Sequence, residues 1–439
     1  MKRKLLLIQP SPYDSHGRPI KKNRLYFVGL GLPLLAALTP ADWEVEIILE
    51  TIETIPFATD AALIGIGSMG HATRRSIDIA REFKRRGKTV VLGGYMVSLI
   101  PEEAKQHCDA VVIGDAEGVW AQLLEDFVCG ELRSYYQQKL TLLAPPLPRF
   151  DLIVSKKIGN FLPVQAGRGC PNSCSFCSVA CLYQGVYLRR PLADVLRDIR
   201  HVRDLGFKRF LLLDDNILSD REYMLELCGE IRKLGMEWLS QCSIQLGDDP
   251  ELLAAVAASG CIALSFGLES ITPASLAAMD KAWANPSDYP RLLGKIRAAG
   301  IDLSTEMVVG GEGDTLATIR QTADFVADNK IVVPRFYILT PIPGTVYHRE
   351  MQAQQRLVNE DIYSYDGAQA VHQPKLMSPE ELTQAYWELY NRVFSYPSII
   401  WRTLLRREFW RRPAKYIFYL LINLYYRRQI KDRITPNII

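Results

Sequence analysis

The 439-residue sequence has no excess of charge of one sign, no long hydrophobic run and little cysteine or histidine. Lysine and arginine number 52 against 49 acids, a net charge of +3, so a nucleic-acid-coating chain is not indicated. The apolar stretch Tyr416 to Tyr426 is eleven residues long, well short of the roughly 20 that a membrane-spanning helix needs. The N-terminus, MKRKLLLIQPSP, starts basic and turns apolar. Its run ends in Gln-Pro without a small-residue cleavage site, so it reads as a first β-strand of a cytosolic protein. Nine cysteines, an odd number mostly isolated in apolar segments, make no disulfide framework and point to a reducing, cytoplasmic setting. No internal repeat, low-complexity tract, Walker loop or G-x-G-x-x-G after the first strand is present. With 48% hydrophobic and 23% charged residues the chain is globular, and its length predicts two or three domains.

What the sequence does contain is a regular alternation of short apolar runs with helical periods. KLLLIQP, WEVEIILE, AALIGIGS, KTVVLGGY and DAVVIGD read as buried parallel strands. GLPLLAALTP, HATRRSIDIAREFKRRG and SLIPEEAKQHC read as the helices between them. Residues 1–130 are therefore expected to form a doubly wound α/β domain of Rossmann type. The Pro-rich stretch LAPPLPRFDL lies in an expected linker, 131–155. From there FLPVQAG, FKRFLLLDDN, EWLSQCSIQL, CIALSFGLES, IDLSTEMVVGG and VVPRFYILTPIPG alternate with helices. These six βα units predict a partial parallel (β/α)6 barrel over 156–350, with its chemistry at the carboxyl ends of the strands. A helical C-terminal region, 351–439, is expected to follow.

Directly after the first barrel strand comes GRGCPNSCSFC, with Cys170, Cys174 and Cys177 inside eight residues. One loop can wrap a single metal centre with these thiols. Structural zinc wants four ligands, usually as two separated pairs, and Cys181 would have to supply the fourth. Three thiolates from one loop fit an iron-sulfur cube with one iron left open. Cys228, Cys242 and Cys261 lie in apolar segments and read as core.

CPNSCSFC resembles the C-x3-C-x2-C loop of the radical S-adenosylmethionine (SAM) enzymes, including the aromatic Phe176 before the third cysteine. The resemblance implies a [4Fe-4S] cluster on Cys170, Cys174 and Cys177 whose open iron chelates SAM, and one-electron cleavage of SAM to a 5′-deoxyadenosyl radical. A flavodoxin- or ferredoxin-type reductant would supply the electron. It further implies SAM contacts by Phe176 and, at the strand ends, by Asp214 and Asp215 for the amino group, Ser243, Gln245 and Glu269 for ribose or methionine, and Gly310 and Gly311 for close backbone approach. Read without the resemblance, such Asp and Gly residues also serve as helix caps and turns.

In the first domain Ser68, in GIGSMG, and Gly93-Gly94, in LGGY, are similar to the serine and double-glycine elements of cobalamin-binding domains. GLPLLAALTP, PEEA and VVIGDAEG resemble other segments of the cobalamin-dependent radical SAM branch. The resemblance implies cobalamin as a third cofactor. Domains that ligate cobalt from below carry Asp-x-His-x-x-Gly after the first strand. Here DSHGRP has Pro19 where Gly is required, so His16 is expected to be a surface-loop residue and cobalt to lack a protein histidine. His71 is expected to be exposed.

The branch mostly methylates unactivated carbon, so a C-methyltransferase is expected. Ring formation, oxygenation or rearrangement within the branch, and a non-catalytic cobalamin or iron-sulfur sensor, are the alternatives. In the tail, Trp401, Phe409, Trp410, Tyr416, Phe418, Tyr419, Tyr425 and Tyr426 are interleaved with Arg402, Arg406, Arg407, Arg411, Arg412, Lys415, Arg427 and Arg428. This pattern suits peripheral contact with the inner membrane face and a hydrophobic lipid, isoprenoid, pigment or natural-product substrate. It equally suits packing on the barrel. Nucleic acid is not an expected partner.

Overall fold

The computed structural model describes residues 2–68, 70–140 and 144–436. It is an α/β protein of two compact units. One comprises the chain up to Ala166 together with Leu188–Phe210, the other Gly167–Tyr187 together with the chain from Leu211.

In the first unit all five expected strands are present: β1 (Arg3–Gln9), and, after the three-residue β2 (Leu25–Phe27), β3 (Trp43–Leu49), β4 (Leu63–Gly67), β5 (Thr89–Gly93) and β6 (Ala110–Ile113). A short β7 (Tyr135–Gln137) completes a sheet of order β3-β1-β4-β5-β6-β7, parallel at every pairing. The order reverses at β1, which gives the doubly wound crevice. Leu5, Leu6, Leu7 and Ile8 are wholly buried because helices cover both faces. SLIPEEAKQHC forms two short helices, Tyr95–Leu99 and Pro101–Lys105. Pro101 opens the second, where its missing N–H costs nothing, and could not have continued the first. The same unit holds β8 (Ile158–Gln165), paired in parallel with β2.

The cysteine loop and the helix Ser178–Tyr183 lie between two-residue strands, β9 (Gly167–Arg168) and β10 (Leu188–Arg189). β11 (Arg209–Leu213) begins in the first unit and ends in the second, which holds β12 (Glu237–Cys242), β13 (Cys261–Glu269), β14 (Asp302–Val309) and β15 (Val333–Ile338); the order is β15-β14-β13-β12-β11, with the β12–β13, β13–β14 and β14–β15 pairings parallel. Alternate residues (Trp238, Leu264, Phe266, Leu268, Met307, Phe336) are buried, while those between are partly open, the period-2 signature of strands with one face under helices. Each of β8, β11, β12, β13, β14 and β15 leads into a helix, so the six βα units of the expected partial barrel are all present. The stretch after β13 is interrupted at Pro286 into the helices Pro273–Ala278 and Tyr289–Ala298.

The helix Pro379–Val393 begins with a capping box, Ser378 and Glu381 satisfying each other's amides. It is followed by Tyr396–Thr403, Arg407–Arg411 and Pro413–Lys431. Arg402 is not a surface base: it is fully buried, and its guanidinium donates to the carbonyls of Ile331 and Val393 and to Asn423.

Candidate functional site

The cysteine loop is held by its neighbours on three sides. Gly169 opens it with φ +83°, and a Cβ there would lie 2.0 Å from the Val186 carbonyl, so no other residue fits. Its amide donates to Asp215 Oδ2 at 2.7 Å. In the middle, the Ser175 amide donates to the Met279 carbonyl (3.1 Å), and the Ser175 carbonyl accepts from the Tyr347 amide (2.9 Å). Phe176 packs against the cluster of Met279, Leu339, Tyr347 and Met351, so the aromatic before the third cysteine anchors the loop.

The three thiols lie within electrostatic reach of one another, and burial foremost pushes Cys174 up to about 11. Thiolates in such a place need a positive centre to form, which iron supplies. Cys181 instead directs Sγ to the Gly344 carbonyl at 3.2 Å. Among the described residues no three His, Cys, Asp or Glu side chains converge as one metal ion requires.

The barrel strand-end residues that the sequence singled out, Asp214, Asp215, Ser243, Gln245, Glu269, Gly310 and Gly311, lie in the same unit as the loop. Asp214 is buried, accepts from Tyr187 Oη (2.7 Å) and from the Asn216 amide (2.9 Å), and burial pushes its carboxyl up to about 6. Asn216 Oδ1 accepts the Ser243 amide at 3.3 Å, which ties the ends of β11 and β12. Gln245 has a buried Oε1 without a partner among the described residues. Glu269 sits in the left-handed region (φ +60°), and its carboxylate is held by Lys281 Nζ at 2.9 Å, which also donates to the Gly267 carbonyl. Both charges act on the Cys174 thiol, the lysine lowering it and the carboxylate raising it.

At the end of β14 the Gly310 and Gly311 amides both donate to Asp314 Oδ2 at 3.0 Å. A Cβ would meet Leu382 at 2.4 Å from Gly310 and Ser275 at 2.8 Å from Gly311. These glycines are therefore required by internal packing. Sequence reasoning missed Tyr187, Asn216, Lys281 and Asp314. Only Asp314, three residues after the double glycine, carried a local signal, that of a turn acceptor.

The raised Asp214 carboxyl has a pH consequence. Unfolded, it ionises above about 3.8; folded, it holds its proton to about 6, so the native state binds the extra proton between these values and stability falls as pH rises through them. Asp214→Asn, whose Oδ1 can still accept the Asn216 amide while its Nδ2 donates to the rotatable Tyr187 hydroxyl, should raise stability at pH 8 by on the order of 2 kcal/mol. The gain should vanish below about pH 4. Urea unfolding at both pH values measures it, and a variant no more stable than the parent at pH 8 would contradict it.

In the first unit β4 and β5 run side by side with Gly67 opposite Gly93, which brings Ser68 and Gly93-Gly94 to adjacent carboxyl ends. The Ser68 amide donates to the Gly93 carbonyl at 2.8 Å. Gly94 has φ +114°, and a Cβ on it would come within 2.1 Å of the Ser68 carbonyl oxygen. Glycine at 94 thus lets the loops that follow the two strands touch backbone to backbone. His16 is exposed in a loop closed on itself by Asp14, which accepts the amides of His16 and Arg18. His71 is exposed on the turn Gly70–Ala72.

Residues 164–326 match the sequence profile of the radical SAM superfamily. The chain is 30% identical over 412 residues to the bacteriochlorophyllide d C-12(1)-methyltransferase of Chlorobaculum tepidum, covering 91% of this chain and 89% of that one. It is 29% identical to the C-8(2)-methyltransferase of the same organism, covering 89% of each. Its fold is similar to the radical SAM methyltransferase TsrM from Kitasatospora setae, solved with cobalamin and a [4Fe-4S] cluster bound (TM-score 0.64, 19% identity, 81% of this chain and 75% of that one).

Proposed function

Because the chain belongs to the cobalamin-dependent radical SAM enzymes, we propose that it methylates an unactivated carbon on a pigment precursor of the bacteriochlorophyllide type. The observation that carries this reading is the likeness to two pigment methyltransferases along about nine tenths of the chain. When bound, the cluster and SAM supply one-electron bond cleavage and hydrogen abstraction, and cobalamin supplies the methyl group. The chain's own part is to hold and exclude. Cys170, Cys174 and Cys177 would hold three irons and leave the fourth open. Asp215, Met279 and Tyr347 fix the loop that carries them. Lys281 places a positive charge beside the thiols. Ser68, Gly93 and Gly94 would admit the cobalamin tail.

The test is anaerobic turnover of reconstituted protein with SAM, cobalamin, dithionite and a bacteriochlorophyllide. Expected are 5′-deoxyadenosine, S-adenosylhomocysteine and a pigment product heavier by one methylene. A fully loaded protein that cleaves no SAM would favour a sensor instead, and cleavage without methylated pigment would remove the substrate class. A flavodoxin or ferredoxin is the reductant that dithionite replaces.

A hydrophobic pigment accords with peripheral membrane contact through the helix Pro413–Lys431, which has two unlike faces. Tyr416, Asn423, Tyr426 and Ile430 are buried, and Tyr419 bonds to Asp302. On the other face Ile417, Phe418, Leu421 and Tyr425 are exposed, with Trp410, 82% exposed, close by in sequence. Exposed Arg407, Arg411, Arg412, Arg428 and Lys431 accompany them. Apolar side chains with flanking arginines match the acyl boundary and phosphates of an anionic leaflet. No described helix is long and apolar enough to cross a membrane. Phe418→Glu/Leu421→Glu should abolish flotation with anionic liposomes while leaving the thermal melt unchanged, because neither side chain is buried. Equal flotation of parent and variant would remove this contact.

A further inference from the structure

Beyond β14 lies a buried polar group that the site above does not use. His372 is fully buried, and neither ring nitrogen makes a hydrogen bond of good geometry among the described residues, the Gly310 backbone being the nearest candidate. Burial, and then the Arg356 charge, push its imidazole down to about 4, so it is neutral, with one N–H donor and one bare acceptor. Tyr347 meets it edge to face, ring centroids 5.7 Å apart. Tyr347 is 2% exposed, and its hydroxyl has no partner either. Arg356 and Glu312 form a 2.8 Å ion pair whose charges reach both rings. The atoms that meet in that pair, Nη2 and Oε1, still lack a well-directed hydrogen bond.

Buried polar atoms are almost always bonded to protein or to ordered water. Orphan donors and orphan acceptors together in one place are what a buried water satisfies, making about three bonds to groups that the chain leaves unpaired. The surroundings give the place a consequence. Tyr347 gives its amide to the Ser175 carbonyl and packs its ring into the cluster that seats Phe176. His372 is held by a short antiparallel clip, in which Gln373 donates to the Arg356 carbonyl at 2.7 Å and Val358 to that of Val371 at 3.0 Å.

We infer that His372, Tyr347 and the Glu312–Arg356 pair enclose an ordered internal water, and that this chamber fixes Tyr347 and, through it, the Ser175–Phe176 segment of the cysteine loop. His372 is on this account a positioning residue. The positioning role rests on the cluster reading above; the water does not.

A high-resolution crystal structure of the reconstituted holoenzyme should show water within hydrogen-bond reach of His372, Tyr347 and Glu312. A dry chamber, or both imidazole nitrogens bonded to protein atoms, overturns the inference. In solution His372→Phe fills the chamber and removes both polar atoms. It should keep its iron, shift the EPR signal of the dithionite-reduced cluster and weaken SAM binding by about tenfold, roughly what one misplaced hydrogen bond is worth. His372→Gln, which retains a donor and an acceptor, should return both toward the parent values. Where His372→Phe does not fold, Tyr347→Phe, which removes only the hydroxyl, supplies the same two readouts. Parent-like EPR and SAM affinity in the folded variants sink the positioning role. Failure of the cluster reading is a different result, absence of iron-sulfur signal from the parent protein itself.

Discussion

Replacing any one of Cys170, Cys174 and Cys177 with Ala should leave a protein without a [4Fe-4S] cluster and without measurable SAM cleavage, whereas Cys181→Ala should keep both. The expected loss is complete rather than graded. A cube held by three thiolates has no spare ligand, and Cys181, the next thiol in the sequence, is turned to the Gly344 carbonyl. Nor is collapse of the fold the reason for the loss. The three cysteines are only partly buried, while the loop's anchors belong to other residues: the Gly169 amide on Asp215, Ser175 between Met279 and Tyr347, and Phe176 in its apolar seat. Each variant should therefore melt with the same transition as the metal-free parent. Iron and sulfide analysis, EPR after dithionite reduction and 5′-deoxyadenosine yield are the measurements. Stoichiometric zinc in the purified protein, released by Cys181→Ala, would overturn the assignment, as would a cluster that survives any one of the three substitutions.

The parts of this architecture that could be read from sequence are those that depend on local pattern. Short apolar runs ended by Gly, Pro or a polar residue marked the five strands from β1 to β6 and the six barrel strands, because a strand buried in a parallel sheet must be apolar along its length or on alternate positions. The cysteine spacing was legible for a similar reason: one loop must present three thiols by itself. Contacts between distant segments left no such trace. Lys281 reaches Glu269 only because Glu269 adopts a left-handed backbone and Lys281 follows a helix of six residues. Tyr187 finds Asp214 across 27 residues, and Asp314 takes two amides through a turn whose glycines read more readily as a cofactor approach. Strands of three residues, β2 and β7, are too short to show a period. In the tail, composition alone could not sort residues by face: Arg402 and Tyr426 turn inward, while Phe418 and Trp410 turn out. Mixed basic and aromatic sequence allows either, and only packing decides.

The strand ends of the first unit allow the cobalamin assignment to be tested without damaging the fold, because Gly93 and Gly94 differ in what they tolerate. A Cβ at Gly94 would lie 2.1 Å from the Ser68 carbonyl oxygen, on a backbone with φ +114°. Gly94→Val is therefore expected to break the junction of the two loops, and loss of cofactor from it would say little. At Gly93 the nearest atom to a new Cβ is Val112 Cβ at 3.6 Å, an ordinary contact, and the residue ends a regular strand. Gly93→Val should accordingly fold, keep its cluster in the other unit, and add two methyl groups at the carboxyl end of β5, where the cobalamin tail is proposed to run. Overfilling a close-packed site costs about 1–3 kcal/mol, so cobalamin affinity should fall by roughly tenfold to a hundredfold, with Gly93→Ala intermediate. Absorption spectra of anaerobically reconstituted protein, titrated with hydroxocobalamin, give the affinities, and the iron content of the same samples controls for folding. His16→Ala should leave the bound cobalamin spectrum unchanged, because the Asp14 turn keeps that side chain at the surface. Parent-like affinity in Gly93→Val would move the cofactor away from the ends of β4 and β5. A large spectral change in His16→Ala would instead put a histidine beneath the cobalt.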